Sequence, residues 1–382
     1  VTKPAITADT AVSILKGANI PTTGHPWYEN PTLMGTATTA AISADGNSSW
    51  NSSADLAGDY LAISFGQSAK SGALTTLTDL TNADGADVPL LLDISAAGNG
   101  GNARGAAVCA KLGVMILGNY TSGMVAYSLD GKYTNKLSVA EGFYPDAMAF
   151  SADGKYLYVN RYEGVAPSTS ADRNNIYKYE IKGNLLTDGT LELAATYPVG
   201  NRVRCMKQTD GGKLLYAKTD TTGWWCMDTT AAEPVFTQVD ASINFRADIE
   251  VVGEHVYILN YSTHVLNVYN RSGNWYTGEP IATLKTTDLE SAGGADAAQN
   301  FFVTANEETM AYICVNGSGA NWVSAYQWTL PTYDITFAEV ENGTLETSVT
   351  NDVAAGVTVT VTATPAEGYE LESITVNGAP LE

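Results

Sequence analysis

Ala147-Met-Ala-Phe150, Ser151-Ala-Asp-Gly154, Lys155-Tyr-Leu-Tyr-Val-Asn160, Asn175-Ile-Tyr-Lys-Tyr-Glu-Ile181 and Leu191-Glu-Leu-Ala-Ala-Thr-Tyr197 follow one another along the chain. Apolar and β-branched runs alternate here with polar turns, the pattern of short antiparallel strands. The Asp153-Gly154 pair supplies the positive φ that a tight hairpin needs. The stretch reads as strands a, b, c and d of one four-stranded blade.

The same grammar recurs through most of the chain. Strand b reads Tyr60–Gly66, Val114–Asn119, Tyr156–Asn160, Leu214–Ala217, Val256–Asn260 and Tyr312–Asn316. Strand c follows as Ala73–Leu80, Met124–Leu129, Ile176–Ile181, Trp224–Asp228, Val265–Tyr269 and Trp322–Trp328. Strand d appears five times, as Pro89–Ile94, Tyr133–Val139, Leu191–Tyr197, Pro234–Val239 and Pro280–Leu284. Strand-b starts fall about 40 to 60 residues apart, a propeller-blade period. The fold class is therefore all-β: a six-bladed β-propeller, with seven blades as the alternative count. The sixth blade lacks an outer strand, and the N-terminal run Ala11–Leu15 is expected to supply it, closing the ring. Asp45–Asp59, rich in Asn and Ser, reads as an exposed insertion in the a–b hairpin of the first blade.

At Leu330-Pro331 the pattern changes to strict Val/Thr alternation, as in Gly356-Val-Thr-Val-Thr-Val-Thr-Ala-Thr-Pro365. Half-buried strands read this way. Residues 1–331 are assigned to the propeller and 332–382 to a small separate domain.

Composition excludes several functions. The 382 residues carry 20 Lys and Arg against 41 Asp and Glu, a net charge of −21, so nucleic acid and anionic membrane surfaces would be repelled. No apolar run approaches the ~18 residues of a membrane-spanning helix. The chain opens on the polar Val1-Thr2-Lys3-Pro4, so an export signal is expected to have been removed. Cys109, Cys205, Cys226 and Cys314 have no zinc-site spacing. They read as buried free thiols, with a Cys205–Cys226 bridge as the alternative.

Phe150-Ser-Ala-Asp-Gly-Lys-Tyr-Leu-Tyr-Val159 resembles the repeats of bacterial surface-layer and lactonase-like (YVTN-type) propellers, over roughly Ala37 to Trp328. That resemblance implies a fold and an exported location, not an activity. Asn342-Gly-Thr, Val357–Tyr369 and Ile374-Thr-Val-Asn-Gly378 resemble the divergent internalin-B-type B repeat. This implies a β-grasp-like fold used as a stalk or spacer in bacterial surface proteins. The repeat stops at Leu381-Glu382, before the last strand such repeats have, and so reads as truncated.

Aligning blades on strand b locates a candidate site. Met115 matches Leu157 (157 − 115 = 42), Lys213 matches Lys155 (213 − 155 = 58) and Val256 matches Tyr156 (256 − 156 = 100). Asp146, just before strand a, then corresponds to Arg104, Arg204 and Arg246, and, in the blades with insertions, to Thr38 and Asn300. Three of seven arginines thus fall on one ring position. Guanidinium forks suit carboxylate, sulfate or phosphate. The competing reading is structural: the same arginines would pair with Asp146, Asp248 and backbone carbonyls. Tyr120 and Tyr162 align in b–c loops. Trp27, Tyr28, Tyr144, Trp224 and Tyr261 are expected on the same face, where aromatic planes stack on sugar rings, with strand-end packing as the alternative.

Other chemistry has little support. Of the three histidines, His255 aligns with the turn residue Lys155 and is expected to face solvent. Glu307-Glu308 falls in a hairpin turn, where solvation explains it. Asn82-Ala-Asp-Gly-Ala-Asp87 loosely suggests calcium but lacks a full ligand series; no other cofactor is expected. Neither a G-x-S-x-G elbow nor a phosphate loop occurs. The leading expectation is an exported, monomeric, non-catalytic bacterial surface protein, with an acidic glycan or a surface protein as its partner. One alternative is a carbohydrate-active enzyme, a lyase or lactonase-like hydrolase, using Arg204, Arg246, Asp146 and Tyr144 at the channel mouth. The other is a structural scaffold.

Overall fold

The computed structural model describes residues 11–13, 25–38, 50–66, 72–78, 90–92, 103–119, 123–137, 144–162, 174–243, 247–260, 262–289, 298–303, 308, 310–317, 320–355, 357, 359–373, 375–376 and 379–380. They fall into two compact units, Pro26–Gln327 and Val1–His25 with Trp328–Glu382.

The larger unit is a six-bladed β-propeller, each blade a four-stranded antiparallel sheet. Blade 1 comprises Trp50–Ala57, Tyr60–Gly66, Gly72–Thr76 and Leu90–Leu92; blade 2, Ala103–Cys109, Val114–Asn119, Gly123–Ser128 and Thr134–Leu137. Blade 3 comprises Tyr144–Phe150, Tyr156–Tyr162, Asn175–Lys182 and Thr190–Pro198; blade 4, Val203–Thr209, Leu214–Thr219, Trp224–Asp228 and Thr237–Asp240. Blade 5 comprises Ala247–Val252, His255–Asn260, Val265–Ser272 and Trp275–Lys285. Blade 6 has Ala298–Val303, Met310–Gly317 and Ala320–Trp328 as strands a, b and c.

Local chemistry explains the turns. In blade 3, Ser151 Oγ donates to Asp153 Oδ1 at 2.7 Å, which also accepts the Lys155 N–H at 3.0 Å. Tyr156 N–H returns to Ser151 Oγ at 2.9 Å, and Gly154 takes φ 72°. Ser128-Leu-Asp-Gly-Lys-Tyr133 repeats the motif in the c–d turn of blade 2, with corresponding bonds at 2.6, 3.1 and 3.0 Å and Gly131 at φ 69°. The side-chain cage needs Ser, Asp and Gly at these offsets, which is why the hexapeptide marks hairpins wherever it occurs.

Successive residues of a strand face opposite neighbouring blades, so the inner strands are apolar on both faces. Ala106 and Val108 pack toward blade 1, while Ala107 and Cys109 pack toward blade 3. Six apolar clusters result, one between each adjacent pair of blades. The cluster joining blade 6 to blade 1 (Phe302, Tyr312, Val323 and Ala325 against Ala54, Leu61, Ile63 and Ala73) closes the ring.

The closing strand is not the one expected. Pro31–Thr38 pairs beside Ala320–Trp328 as the outer strand of blade 6. Ala11–Ser13 instead pairs antiparallel with Thr360–Thr362 in the smaller unit. Pro31 and Gly35 make the true closing strand look like a loop, but proline is tolerated as the first residue of an edge strand. Trp27 anchors it, fully buried among Val252, Tyr257, Phe301 and Tyr326 between blades 5 and 6.

Blade 1 needs a second correction. Trp50–Ala57 is its inner strand, joined to strand b by a tight turn at Gly58 (φ 60°), and not an exposed insertion. Ser53, within the stretch that suggested a loop, is buried, and its carbonyl accepts from Ser64 Oγ of strand b at 3.3 Å.

The smaller unit holds a three-stranded sheet, in the order Ala11–Ser13, Thr360–Pro365, Gly343–Thr347. Thr332–Tyr333 pairs with Val353–Ala354, and Thr375–Val376 with Ala379–Pro380. Val353, Val359 and Val361 form its core, with Ile335, Leu345 and Val349 packed around them.

Candidate functional site

The ring position found by alignment is a real feature of the backbone. In five blades the a–b ladder slips by one residue at the start of strand a. The slips lie between Asn51 and Ser53, Ala103 and Gly105, Pro145 and Ala147, Val203 and Cys205, and Ala298 and Asn300. The residue left out of the pairing is Ser52, Arg104, Asp146, Arg204 or Gln299. The equivalents assigned as Thr38 and Asn300 are thus corrected to Ser52 and Gln299. A β-bulge turns one side chain out of the regular alternation, and bulges concentrate at the rims of barrels and beside binding sites. Each bulged residue here is polar. Blade 5 pairs regularly from Ala247 onward, and Arg246 lies outside the described residues.

Arg204 donates through Nε to Asp220 Oδ1 in the b–c turn of its own blade, both side chains being partly exposed. The Asp220 N–H bonds the Arg202 carbonyl at 3.0 Å, fixing that turn. Arg104 is half-buried. Tyr144 and Tyr162 are directly opposite each other across the ladder at the same end of blade 3. The structure therefore sets Arg104, Asp146 and Arg204 at equivalent rim positions, with Tyr144 and Tyr162 beside Asp146. Tyr120 and Tyr261 lie outside the described residues. Trp224 leaves the aromatic set, since it is fully buried between blades 4 and 5; Trp27 is buried likewise.

Sequence reasoning missed a second feature, a buried charge cluster on the inner strands. Lys207 of blade 4 bonds Asp248 Oδ2 of blade 5 at 3.1 Å, lies 3.6 Å from Glu250 Oε2, and donates to the Phe301 carbonyl of blade 6. Its ammonium sits 4.8 and 4.2 Å from the ring centroids of Phe301 and Phe302. Lys207, Asp248 and Glu250 are 2, 1 and 5% exposed. Lys207 thus ties blade 4 to blades 5 and 6. The structural pairing expected for Asp248 is with this lysine, not with an arginine.

Burial raises Glu250 to about 7, against the pull of Lys207. Burial also raises Asp55 of blade 1 to about 6, against bonds from the Val108 and Leu56 N–H groups and the field of Lys207. Burial opposes the Lys207 ammonium, yet Asp248 and Glu250 outweigh it and raise its pKa. The signal was available: Lys207 aligns with Ala107 and Ala149, so it puts a charge where the equivalent inner strands carry alanine.

Two turn residues also depart from expectation. Glu308 is 8% exposed, and its Oε2 accepts from His255 Nδ1 at 2.8 Å and from the Tyr257 hydroxyl. His255 is accordingly partly buried in an ion pair. Solvation does not explain either residue, because blades 5 and 6 bring their a–b turns together.

Cys109, Cys205 and Cys226 are buried free thiols. Cys205 pairs with Lys218 and Cys226 with Tyr216 on the strand between them, so two inter-strand spacings, roughly 10 Å, separate them and no bridge forms. Burial pushes both thiols up to about 11. Among the described residues no group of three His, Cys, Asp or Glu is placed to hold a metal ion; Asn82–Asp87 lies outside them. No helix among them is long and apolar enough to cross a membrane.

Residues 333–380 match the family model of the divergent InlB B-repeat domain. No curated protein matches the chain's sequence. Many solved structures are similar in fold, among them two. The β-propeller domain of Cps50 (Swd1) from Myceliophteria thermophila is 10% identical, with TM-score 0.47, covering 78% of this chain and 100% of that one. Hydrazine synthase of Kuenenia stuttgartiensis is 12% identical, with TM-score 0.44, covering 73% of this chain and 95% of that one.

Proposed function

We propose that the propeller is a non-catalytic binding module of an exported bacterial surface protein, and that it recognises an anionic ligand, an acidic glycan, at the bulged rim of its inner strands. The observation that carries this reading is the bulge itself. The same irregularity recurs in five blades and sets aside Ser52, Arg104, Asp146, Arg204 and Gln299. A scaffold without a ligand needs no such repetition of polar residues at one rim. Asp220 holds the Arg204 guanidinium through Nε, which fixes the orientation of the fork at the rim. The B repeat supports a surface location, since the resemblance implies a stalk role for such domains.

Calorimetric titration with oligouronates of the wild type, Arg104→Ala and Arg204→Ala tests the reading. Each substitution is expected to weaken binding about tenfold or more, the loss of one charge-assisted bond. Equal affinity in all three proteins, or no oligouronate binding by the wild type, would sink it. Turnover of the oligouronate would favour the enzymatic alternative instead.

A further inference from the structure

The Glu308 cluster lies where the ring closes, and the rim does not require it. Pro26–Glu29 leads directly into the closing strand Pro31–Thr38. The Trp27 N–H bonds the Glu308 carbonyl at 2.9 Å. The Tyr28 ring lies edge-on to His255 and Tyr257, with centroids 6.1 and 6.0 Å away. Glu308 thus receives the entering segment on its backbone, while its carboxylate holds the two rings on which Tyr28 rests. The arrangement is built around that side chain. Glu308 takes φ 52°, a left-handed conformation uncommon for a residue with a Cβ. Gly253 faces it from blade 5, and a Cβ there would come within 2.3 Å of Glu308 Oε1. Only glycine leaves the carboxylate its place.

We propose that the His255–Glu308 pair is a proton-dependent latch on ring closure, holding the segment Trp27–Thr38 tightly while His255 is charged and loosening it when His255 is neutral. The charged groups around the pair fix the sign. Glu308 faces His255 from blade 6, and Glu254 adds to its field from the same turn. Tyr257 carries Glu308 and Glu250 as negative neighbours, and Tyr28 carries Glu308 and Glu29. Arg271, on strand c, bonds the Gly253 and Gly273 carbonyls. The carboxylate bond and field outweigh the partial burial of His255 and raise its pKa. The imidazolium's contribution to stability is complete below the ordinary imidazole value and is lost as pH rises through the raised folded value. Nδ1 still donates to Glu308 when neutral, but without charge assistance. The latch therefore weakens as pH rises above the ordinary imidazole value.

Two measurements on the intact chain test this. NMR titration of labelled histidines should place the His255 pKa above the ordinary imidazole value; a value at or below it overturns the proposal without any variant. Hydrogen exchange of Trp27 and the closing strand, corrected for intrinsic rates, should show roughly a five-fold loss of protection from pH 6 to pH 9, the scale of one partly buried ion pair. Both are repeated in Glu250→Gln, which removes the interior carboxylate. His255→Gln should be less protected at pH 6 and lose the pH dependence. Retention of that dependence in His255→Gln, or its absence in the wild type, overturns the latch.

Discussion

Blades 2 and 3 and blades 4 and 5 have the same architecture and opposite interiors. Past the slip, the inner strands of blades 2 and 3 run Gly105-Ala-Ala-Val108 and Ala147-Met-Ala-Phe150, all buried without a charge. The corresponding runs in blades 4 and 5 are Cys205-Met-Lys-Gln208 and Ala247-Asp-Ile-Glu250, with the charged residues equally buried. Strand pairing and inter-blade packing are indifferent to the difference, since backbone bonding and the apolar clusters run unbroken through all four blades. The ring, not the local sequence, supplies the rigidity that tolerates a desolvated ion cluster. Buried ion pairs seldom stabilise relative to apolar packing. The charged half is thus where the repeat departs from what folding alone requires.

The largest expected effect comes from breaking the charged half. Lys207→Ala leaves Asp248 and Glu250 buried without their cation and should cost ~3–5 kcal/mol in urea unfolding. The triple change Lys207→Met, Asp248→Asn, Glu250→Gln makes blades 4 and 5 resemble blades 2 and 3, and should recover most of that loss. A Lys207→Ala protein as stable as the wild type would show that the two halves do not differ energetically.

Acid should favour the buried carboxylates, Glu250 of the charged half and Asp55 of blade 1. Glu250, at about 7, and Asp55, at about 6, have folded values above the ordinary carboxylate range. Between the unfolded and folded values the native state binds more protons, so their contribution to stability is complete below the unfolded value. It is lost as pH rises through the folded one. Each contributes at most on the order of 3 kcal/mol. Unfolding free energy should therefore fall from pH 5 to pH 8, and Glu250→Gln should flatten the slope. An unchanged slope in that variant would place Glu250 at an ordinary pKa.

What was legible in the sequence follows the same division. Blades 2 to 5 could be read strand by strand, because Ser-x-Asp-Gly turns and paired apolar runs are local signals. Trp50–Ala57 was not, because the burial of Ser53 depends on a neighbouring blade rather than on its own periodicity. The closing strand escaped because ring closure joins two strands that begin 289 positions apart, at Pro31 and Ala320 (320 − 31 = 289), beyond any local pattern. The rim position was visible through alignment, but the bulge that gives it physical meaning was not. His255 and Glu308 looked like solvated turn residues, since nothing in either turn announces that blades 5 and 6 press the two together.

The smallest expected effect is at the rim, and it separates the two readings of the arginines. Arg204 and Asp220 are 33 and 23% exposed, so solvent screens the pair and their rotamer entropy opposes it. A double-mutant cycle with Arg204→Ala and Asp220→Ala should give a coupling of only ~0.2–1 kcal/mol in stability. A binding role predicts that the same substitutions act unequally on ligand. Arg204→Ala removes the fork itself, while Asp220→Ala frees a guanidinium that still carries its charge and only loses orientation. Affinity should fall markedly in the first and modestly in the second, with stability nearly level in both. A coupling of several kcal/mol, with no effect on any ligand, would make the rim pair a structural clamp like Lys207 and Asp248, and the contrast between rim and interior would disappear.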